Sequence, residues 1–113
     1  MADGGLPRRE RLRGREAIRR VLDRGSSEQD HLLVLRYLPT DLRRRRVTVA
    51  ASRVRSAVRR NRIKRRLRSL YRTHRDDLPP SGDFFIIGRR DAADVPYQDL
   101  EDSFQKLAHA LAG

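Results

Sequence analysis

The segment 56–75 reads SAVRRNRIKRRLRSLYRTHR, and its apolar side chains recur at the spacing of one helix face. This apolar stripe consists of Ile63, Leu67, Leu70 and Tyr71, with His74 at its end. Ser56, which precedes the stripe, is a residue type that caps helix N-termini. The segment is therefore predicted to form a long amphipathic helix, from about Ser56 to about His74, whose apolar side enters the core.

The opposite side of this predicted helix carries positive charges and one amide. Its residues are Asn61, Lys64, Arg65, Arg68, Arg72 and Arg75, and no acidic residue interrupts 43–75. A helix face that is merely solvated usually mixes signs, because opposite charges four residues apart stabilise a helix and like charges destabilise it. The pattern therefore favours binding to nucleic acid, whose phosphates neutralise the charge.

The composition of the whole chain agrees with a small basic domain. The 113 residues include 27 Lys or Arg and 15 Asp or Glu, which gives a net charge of +12. Only 37% of the residues are hydrophobic, so one domain with a modest core is expected. The sequence has no cysteine, no apolar start, and no apolar run near the roughly 20 residues that span a bilayer. We therefore expect a cytoplasmic protein without disulfides and without a membrane partner.

The sequence on either side of the long helix alternates between helix and strand patterns. Residues 1–10 contain glycine and proline without periodicity and are predicted to form a flexible arm. We expect a short helix over 14–24, strands over 31–38, 47–51 and 83–88, and a last helix that begins at Pro96. The apolar run 31–38 leaves room for more than one strand. The order α-β-β-α-β-α predicts an α+β sandwich.

The kind of nucleic acid is indicated by what accompanies the basic helix. Proteins that bind single strands by stacking present aromatic side chains, and the basic side of this helix has none. Helices that read the DNA major groove usually belong to helical bundles rather than to domains with flanking strands. Structured RNA, recognised through its shape and backbone, is therefore favoured.

The nine residues 60–68, RNRIKRRLR, resemble the RNR signature of the bacterial ribonuclease P protein. The resemblance extends over about 10–112. It includes Arg11-Leu12, Leu33-Val34-Leu35, Ala57-Val58, Leu78-Pro79-Pro80 and Tyr97. It implies a single domain over 11–113, an α/β sandwich of about four strands in the order α-β-β-β-α-β-α. It also implies a left-handed β-α-β crossover, against the usual right-handed rule.

The same resemblance implies an accessory subunit of ribonuclease P, the ribonucleoprotein endonuclease that hydrolyses the 5′ leader from precursor tRNA. One protein per RNA is implied, with catalysis in the RNA and with Mg²⁺ held mainly by the RNA and the substrate. The positions that would contact the catalytic RNA are Arg53, Arg60, Asn61, Arg62, Lys64, Arg65, Arg68 and Arg72. No catalytic or metal-binding residue is expected in the protein.

A cleft for the precursor's leader is also implied, formed by Ile18, Leu22, Leu33 and Arg36. The family commonly has aromatic residues where this chain has Ile18, Leu22 and Arg36. Arg36 could compensate by contacting a phosphate or stacking on a base. Alternatively, Ile18 and Leu22 pack in the core, which their spacing of four residues also suits.

A nuclease site within the protein is not favoured by the pattern of its acidic and histidine residues. Metal-dependent hydrolysis needs several carboxylates that converge on an ion. The candidates are scattered instead: Asp76 and Asp77 at a helix end, Asp99, Glu101 and Asp102 around the last helix, and His31, His74 and His109 apart from one another. The alternative function is a non-enzymatic protein that binds structured RNA, such as a ribosomal protein.

Overall fold

A computed structural model of the chain describes residues 6–112. Within these residues, three α-helices and four strands follow one another: α1 (Arg15–Arg24), β1 (Ser26–Gln29), β2 (Leu33–Leu38), β3 (Arg45–Ala51), α2 (Ala57–His74), β4 (Gly82–Gly88) and α3 (Tyr97–Ala112). This order confirms the expected α-β-β-β-α-β-α arrangement. The strand that the sequence pattern did not predict is β1, whose polar sequence SSEQ shows no strand pattern. The run 31–38 contains one strand rather than two.

The four strands form one mixed sheet in the order β1-β2-β4-β3. β2 pairs antiparallel with both β1 and β4, whereas β3 and β4 run parallel. Parallel neighbours need a crossover connection, and α2 supplies it. The connectivity of the predicted β-α-β crossover is therefore confirmed. That the crossover is left-handed stays a prediction.

The main core lies between one face of the sheet and the helices α2 and α3. Its fully buried side chains include Leu33 and Leu35 of β2, Phe84 and Ile86 of β4, Leu100 and Phe104 of α3, and Ile63, Leu67, Leu70 and Tyr71 of α2. The predicted apolar stripe of α2 is thus confirmed. Gly88 lets α2 approach closely, because a side chain there would collide with Ile63.

The other face of the sheet is covered only in part, by α1. A small cluster of Leu12, Ala17 and Val21 packs there, with Ile18, Leu38 and Phe85 at its edge. Gly25 ends α1 beside β2, where a Cβ would lie 2.8 Å from the carbonyl oxygen of Tyr37. Much of this face therefore stays open next to α1.

The segment before α1 is packed against the domain. Leu6 is 6% exposed, residues 8–10 form one turn of 3-10 helix, and the Leu12 N–H donates to the Val47 carbonyl at 2.9 Å. The predicted flexible arm over 1–10 does not match this packing at residues 6–10, because the apolar Leu6 is buried in the core. Its first five residues lie outside the described part of the chain.

Candidate nucleic-acid interface

The helix α2 begins where it was predicted, and its first turn is capped. The Ser56 hydroxyl accepts a hydrogen bond from the Arg59 N–H at 3.2 Å. Just before it, Arg53 adopts a left-handed backbone conformation, with φ of 57°, which is uncommon for residues other than glycine. This turn connects the end of β3 to α2 and leaves the Arg53 side chain exposed.

Three arginines of α2 are engaged by the protein itself. Arg59 donates to the Asp94 carboxylate, with Nη2 2.7 Å from Oδ2. Arg60 Nη1 donates to the carbonyls that precede the helix, those of Val54 at 3.0 Å and residue 55 at 2.6 Å. Arg66 donates to the carbonyls of residues 92 and 95, at 2.8 and 2.7 Å. Of the predicted RNA-contacting residues, Arg60 thus holds the loop before α2.

A second group on α2 faces outward without such partners. Within residues 6–112, the structure gives no side-chain hydrogen bond or ion pair to Asn61, Lys64, Arg65, Arg68 or Arg72. Asn61, Arg65 and Arg72 are exposed, and Lys64 and Arg68 are half-buried. Exposed Arg62 has only a 3.8 Å approach to Asp94. We call the first five of these residues, Asn61, Lys64, Arg65, Arg68 and Arg72, the basic side of α2. The fold leaves the positive charge of this surface largely uncompensated.

Arg75, which the helical pattern places beside these residues, is compensated. Its Nη1 lies 2.8 Å from Oε1 of Glu10, and this oxygen also accepts a hydrogen bond from the Tyr71 hydroxyl at 2.7 Å. The Glu10 charge and hydrogen bond raise the pKa of Arg75. Burial, followed by the hydrogen bond to Glu10, raises the pKa of Tyr71. The expectation that Arg75 belongs to a freely charged face is corrected by this long-range contact.

The second predicted site lies between α1 and the open face of the sheet. Arg36 projects on this face opposite Phe85, its register partner on β4. Its Nη1 donates to the Leu22 carbonyl at 3.2 Å, and its buried Nε has no hydrogen-bond partner in the described part of the chain. Ile18 is partly buried and Leu22 is 40% exposed. The alternative prediction, that both side chains pack in the core, is therefore partly correct for Ile18 and wrong for Leu22.

Leu33 does not belong to this cleft. It is fully buried in the main core, on the opposite face of β2 from Arg36. Neighbouring residues of a strand alternate between faces, so the odd-numbered positions of β2 face α2 and α3. The open face carries residues that the sequence interpretation did not include, namely Val34, Thr48, Phe85 and Ile87. The run Phe84-Phe85-Ile86-Ile87 is apolar at every position, so the sequence contains no signal that separates its two faces.

The carboxylates of the described chain do not gather into a metal site. Residues 6–112 contain no group of three or more His, Cys, Asp or Glu side chains that could hold an ion. The buried Asp83 is bound by Arg46 across β3 and β4, at 2.8 and 2.7 Å. In the same part of the chain, no helix has the length and apolar character needed to cross a membrane.

Comparison with known proteins gives consistent matches. A family model described as Ribonuclease P matches residues 6–112. A "Ribonuclease P protein component" from Pelotomaculum thermopropionicum is 43% identical over 89 residues, which cover 78% of this chain and 80% of that protein. One from Clostridium acetobutylicum is 35% identical and covers 86% and 84%. The ribonuclease P protein structure from Thermotoga maritima superposes with a TM-score of 0.80 at 24% identity, covering 92% and 99%.

Proposed function

We propose, because this chain belongs to the ribonuclease P protein family, that it is the protein subunit of a ribonuclease P ribonucleoprotein. In this role it binds the catalytic RNA and the 5′ leader of precursor tRNA and promotes removal of that leader. The cleavage chemistry belongs to the RNA. Mg²⁺ held by the RNA and the substrate would supply the chemistry of this hydrolysis, namely activation of water and stabilisation of the leaving oxygen.

The observation that carries this proposal is the basic side of α2. Asn61, Lys64, Arg65, Arg68 and Arg72 project from a helix whose other side is locked in the core. A row of guanidinium groups on a helix that is fixed by the core suits RNA phosphates, because each fork can bind two phosphate oxygens and because contact releases counterions. Because no group of the described protein pairs with these charges, they remain available to a binding partner.

The open face of the sheet beside α1 suits the single-stranded leader. Phe85 supplies an aromatic ring on the open sheet face, next to Arg36 on the neighbouring strand. Exposed Leu22 and partly buried Ile18 border this face from α1. A base can stack on an aromatic ring or a guanidinium plane, so this face retains stacking groups although α1 lacks aromatic residues.

The proposed function is tested with purified protein, ribonuclease P RNA from the same organism, and precursor tRNA. Protein alone should cleave nothing, and adding it to the RNA at low Mg²⁺ should restore cleavage at the 5′ end of the mature tRNA. Metal-dependent cleavage by protein that has been freed of RNA with nuclease would contradict the assignment of catalysis to the RNA.

A pair of variants tests the basic side of α2. Arg65→Gln/Arg72→Gln should weaken binding to the catalytic RNA and lower the slope of log affinity against log salt by about 1.4–1.8, since each phosphate contact contributes about 0.7–0.9. Arg66→Gln, which removes one charge from the same helix, is the control, because the hydrogen bonds of Arg66 are internal. It should reduce the free energy of unfolding by about 1–3 kcal/mol and leave the slope unchanged.

A second function, that of a ribosomal or other structured-RNA-binding protein, is distinguished by the RNA that co-purifies with the tagged protein. Ribonuclease P RNA in that fraction supports the proposal. Ribosomal RNA in its place, together with an unchanged salt slope for Arg65→Gln/Arg72→Gln on ribonuclease P RNA, would reject it.

A further inference from the structure

We propose that a second surface, which we call the arginine cavity, binds backbone phosphates of the catalytic RNA beyond the C-terminal end of α2. The proposal rests on the proposed function, because it takes the RNA bound along α2 as the partner. The cavity is open, measures about 400 Å³, and is lined by Arg9, Arg43, Arg44, Arg45 and Arg75 together with Glu10, Asp76 and Pro80.

The arginine cavity is built from three segments that are far apart in the chain. The turn at 8–10, the loop that leads into β3, and the end of α2 meet there. Arg44 Nε donates to the Arg9 carbonyl at 2.9 Å, and Arg45 Nε donates to the Pro79 carbonyl at 2.8 Å. These hydrogen bonds hold the loop in place, so a ligand need not order it on binding.

The charges of the cavity are unbalanced. Five arginines and two carboxylates line it, which leaves three net positive charges. Glu10 is held by Arg75 and Tyr71, and the 98% exposed Asp76 only approaches Arg45 at 3.8 Å. Such a site repels cations and attracts anions.

Two arginines of the cavity are available to a ligand. Arg9 and Arg43 are exposed, and the structure gives their side chains no hydrogen bond or ion pair across residues 6–112. Arg44 commits one nitrogen to the Arg9 carbonyl and keeps the rest of its fork. A guanidinium fork can bind two oxygens of a phosphate, and successive phosphates of an RNA backbone can engage more than one of these arginines, whereas a single carboxylate of a protein partner can pair with only one fork at a time.

The position of the cavity connects it to the RNA bound along α2. Arg68, Arg72 and Arg75 are spaced four and three residues apart, so they form one row on that helix. Arg68 also lines an open cavity with Arg13 of the N-terminal segment, and that segment supplies Arg9 to the arginine cavity. The positive surface thus continues past the C-terminal end of α2. That end lies about 27 Å from the start of the helix, by the rise per residue.

The test compares two double variants in binding to ribonuclease P RNA over a series of salt concentrations. Arg9→Gln/Arg43→Gln should weaken binding and lower the log–log salt slope by about 1.4–1.8. The matched control is Arg19→Gln/Arg20→Gln, which removes the same charge from exposed positions on α1, across the sheet from α2. The control should leave the slope within error, and urea unfolding of both variants should resemble that of the wild type.

The outcomes separate the inference from the proposed function. If wild type and Arg65→Gln/Arg72→Gln behave as proposed but Arg9→Gln/Arg43→Gln keeps the full slope, the inference alone is wrong. If wild type does not bind the RNA, the proposed function is wrong. Two further results for Arg9→Gln/Arg43→Gln would overturn the assignment to the catalytic RNA. One is a loss of affinity only for precursor tRNA, measured with the assembled holoenzyme. The other is a loss of affinity only for polyglutamate, a probe that stands for an acidic protein partner.

Discussion

Arg59 and Asp94 form a salt bridge with two hydrogen bonds, in which Nη2 lies 2.7 Å from Oδ2 and Nη1 lies 3.2 Å from Oδ1. The hydrogen bond from Arg59 is the main reason that the pKa of Asp94 is lowered. Arg62 approaches the same carboxylate at 3.8 Å. α2 contains no acidic residue, so Asp94 brings a counter-charge to it from the turn before α3.

Removing this counter-charge should strengthen RNA binding. Asp94→Asn frees the guanidinium groups of Arg59 and Arg62 for phosphates, and the salt slope should steepen by about 0.7–0.9 for each additional phosphate that they bind. The measurement is the affinity for ribonuclease P RNA at several salt concentrations. Asp99→Asn removes the same charge at an exposed position on α3 and should leave the slope unchanged. Equal steepening in both variants would show a general charge effect instead.

Truncating the apolar stripe should affect folding rather than recognition. Leu67 is fully buried between α2 and the sheet, so Leu67→Ala should lower the free energy of unfolding by about 2–5 kcal/mol through the cavity it leaves. Val58, on the same helix, is 70% exposed, and Val58→Ala should change stability by no more than about 0.5 kcal/mol. Urea denaturation monitored by circular dichroism compares the two, and similar losses would contradict the assigned orientation of the helix.

Arg36 should contribute to leader recognition. Arg36→Ala removes a guanidinium beside Phe85, so the assembled enzyme should lose its preference for precursor tRNA with a long leader over one with a one-nucleotide leader. Binding of mature tRNA should stay the same. Lys106→Gln, which removes one charge from α3 on the other side of the sheet, is the control and should keep the preference.

A structural consequence of the same substitution must be separated from recognition, since Arg36 also donates to the Leu22 carbonyl at the end of α1. Urea unfolding of Arg36→Ala therefore accompanies the binding assay. Equal loss of affinity for both precursor substrates would place Arg36 outside the leader path.

Asp30 should make stability depend on pH in the acid range. Burial by itself would raise its pKa, but hydrogen bonds from the Ser103 hydroxyl and from the N–H groups of Leu33 and Leu32, with Lys106 nearby, lower it below 3.8. A lowered pKa in the folded state means that the stabilisation is present above the unfolded value and is lost as pH falls through the folded value.

The measurement is the difference in unfolding free energy between wild type and Asp30→Asn at a series of pH values. The difference should favour wild type at neutral pH and shrink as pH falls below 3.8. Asp23→Asn is the control, because Asp23 is exposed and has no side-chain partner within residues 6–112. A difference for Asp30→Asn that stays constant down to the most acidic pH would contradict the lowered pKa.

Local patterns were sufficient to predict the long helix α2. Its cap at Ser56, its apolar stripe and its end at His74 follow from residues within a few turns of one another, and the structure agrees with each. Strand β1 could not be predicted in this way. Its polar residues have no alternating pattern, and it forms because its backbone pairs with β2 at the edge of the sheet.

The orientation of β2 could not be predicted from the sequence either. The sequence predicts a strand over 31–38, but not which of its residues faces the helices. A shift of one residue exchanges the two faces, and the side is set by packing against Phe84 and Ile86 of β4. This is why the predicted leader cleft wrongly included Leu33, whereas Arg36 does lie on the open face.

The sequence alone determined that α2 is basic, because charge is a property of composition and helical spacing. Which of its charges remain for a partner was decided only by the tertiary structure. Asp94 engages Arg59 across 35 residues of sequence, and Glu10 engages Arg75 across 65. A guanidinium binds whichever acceptor the fold brings within hydrogen-bonding distance, and those acceptors lie on segments that only the packed core brings together.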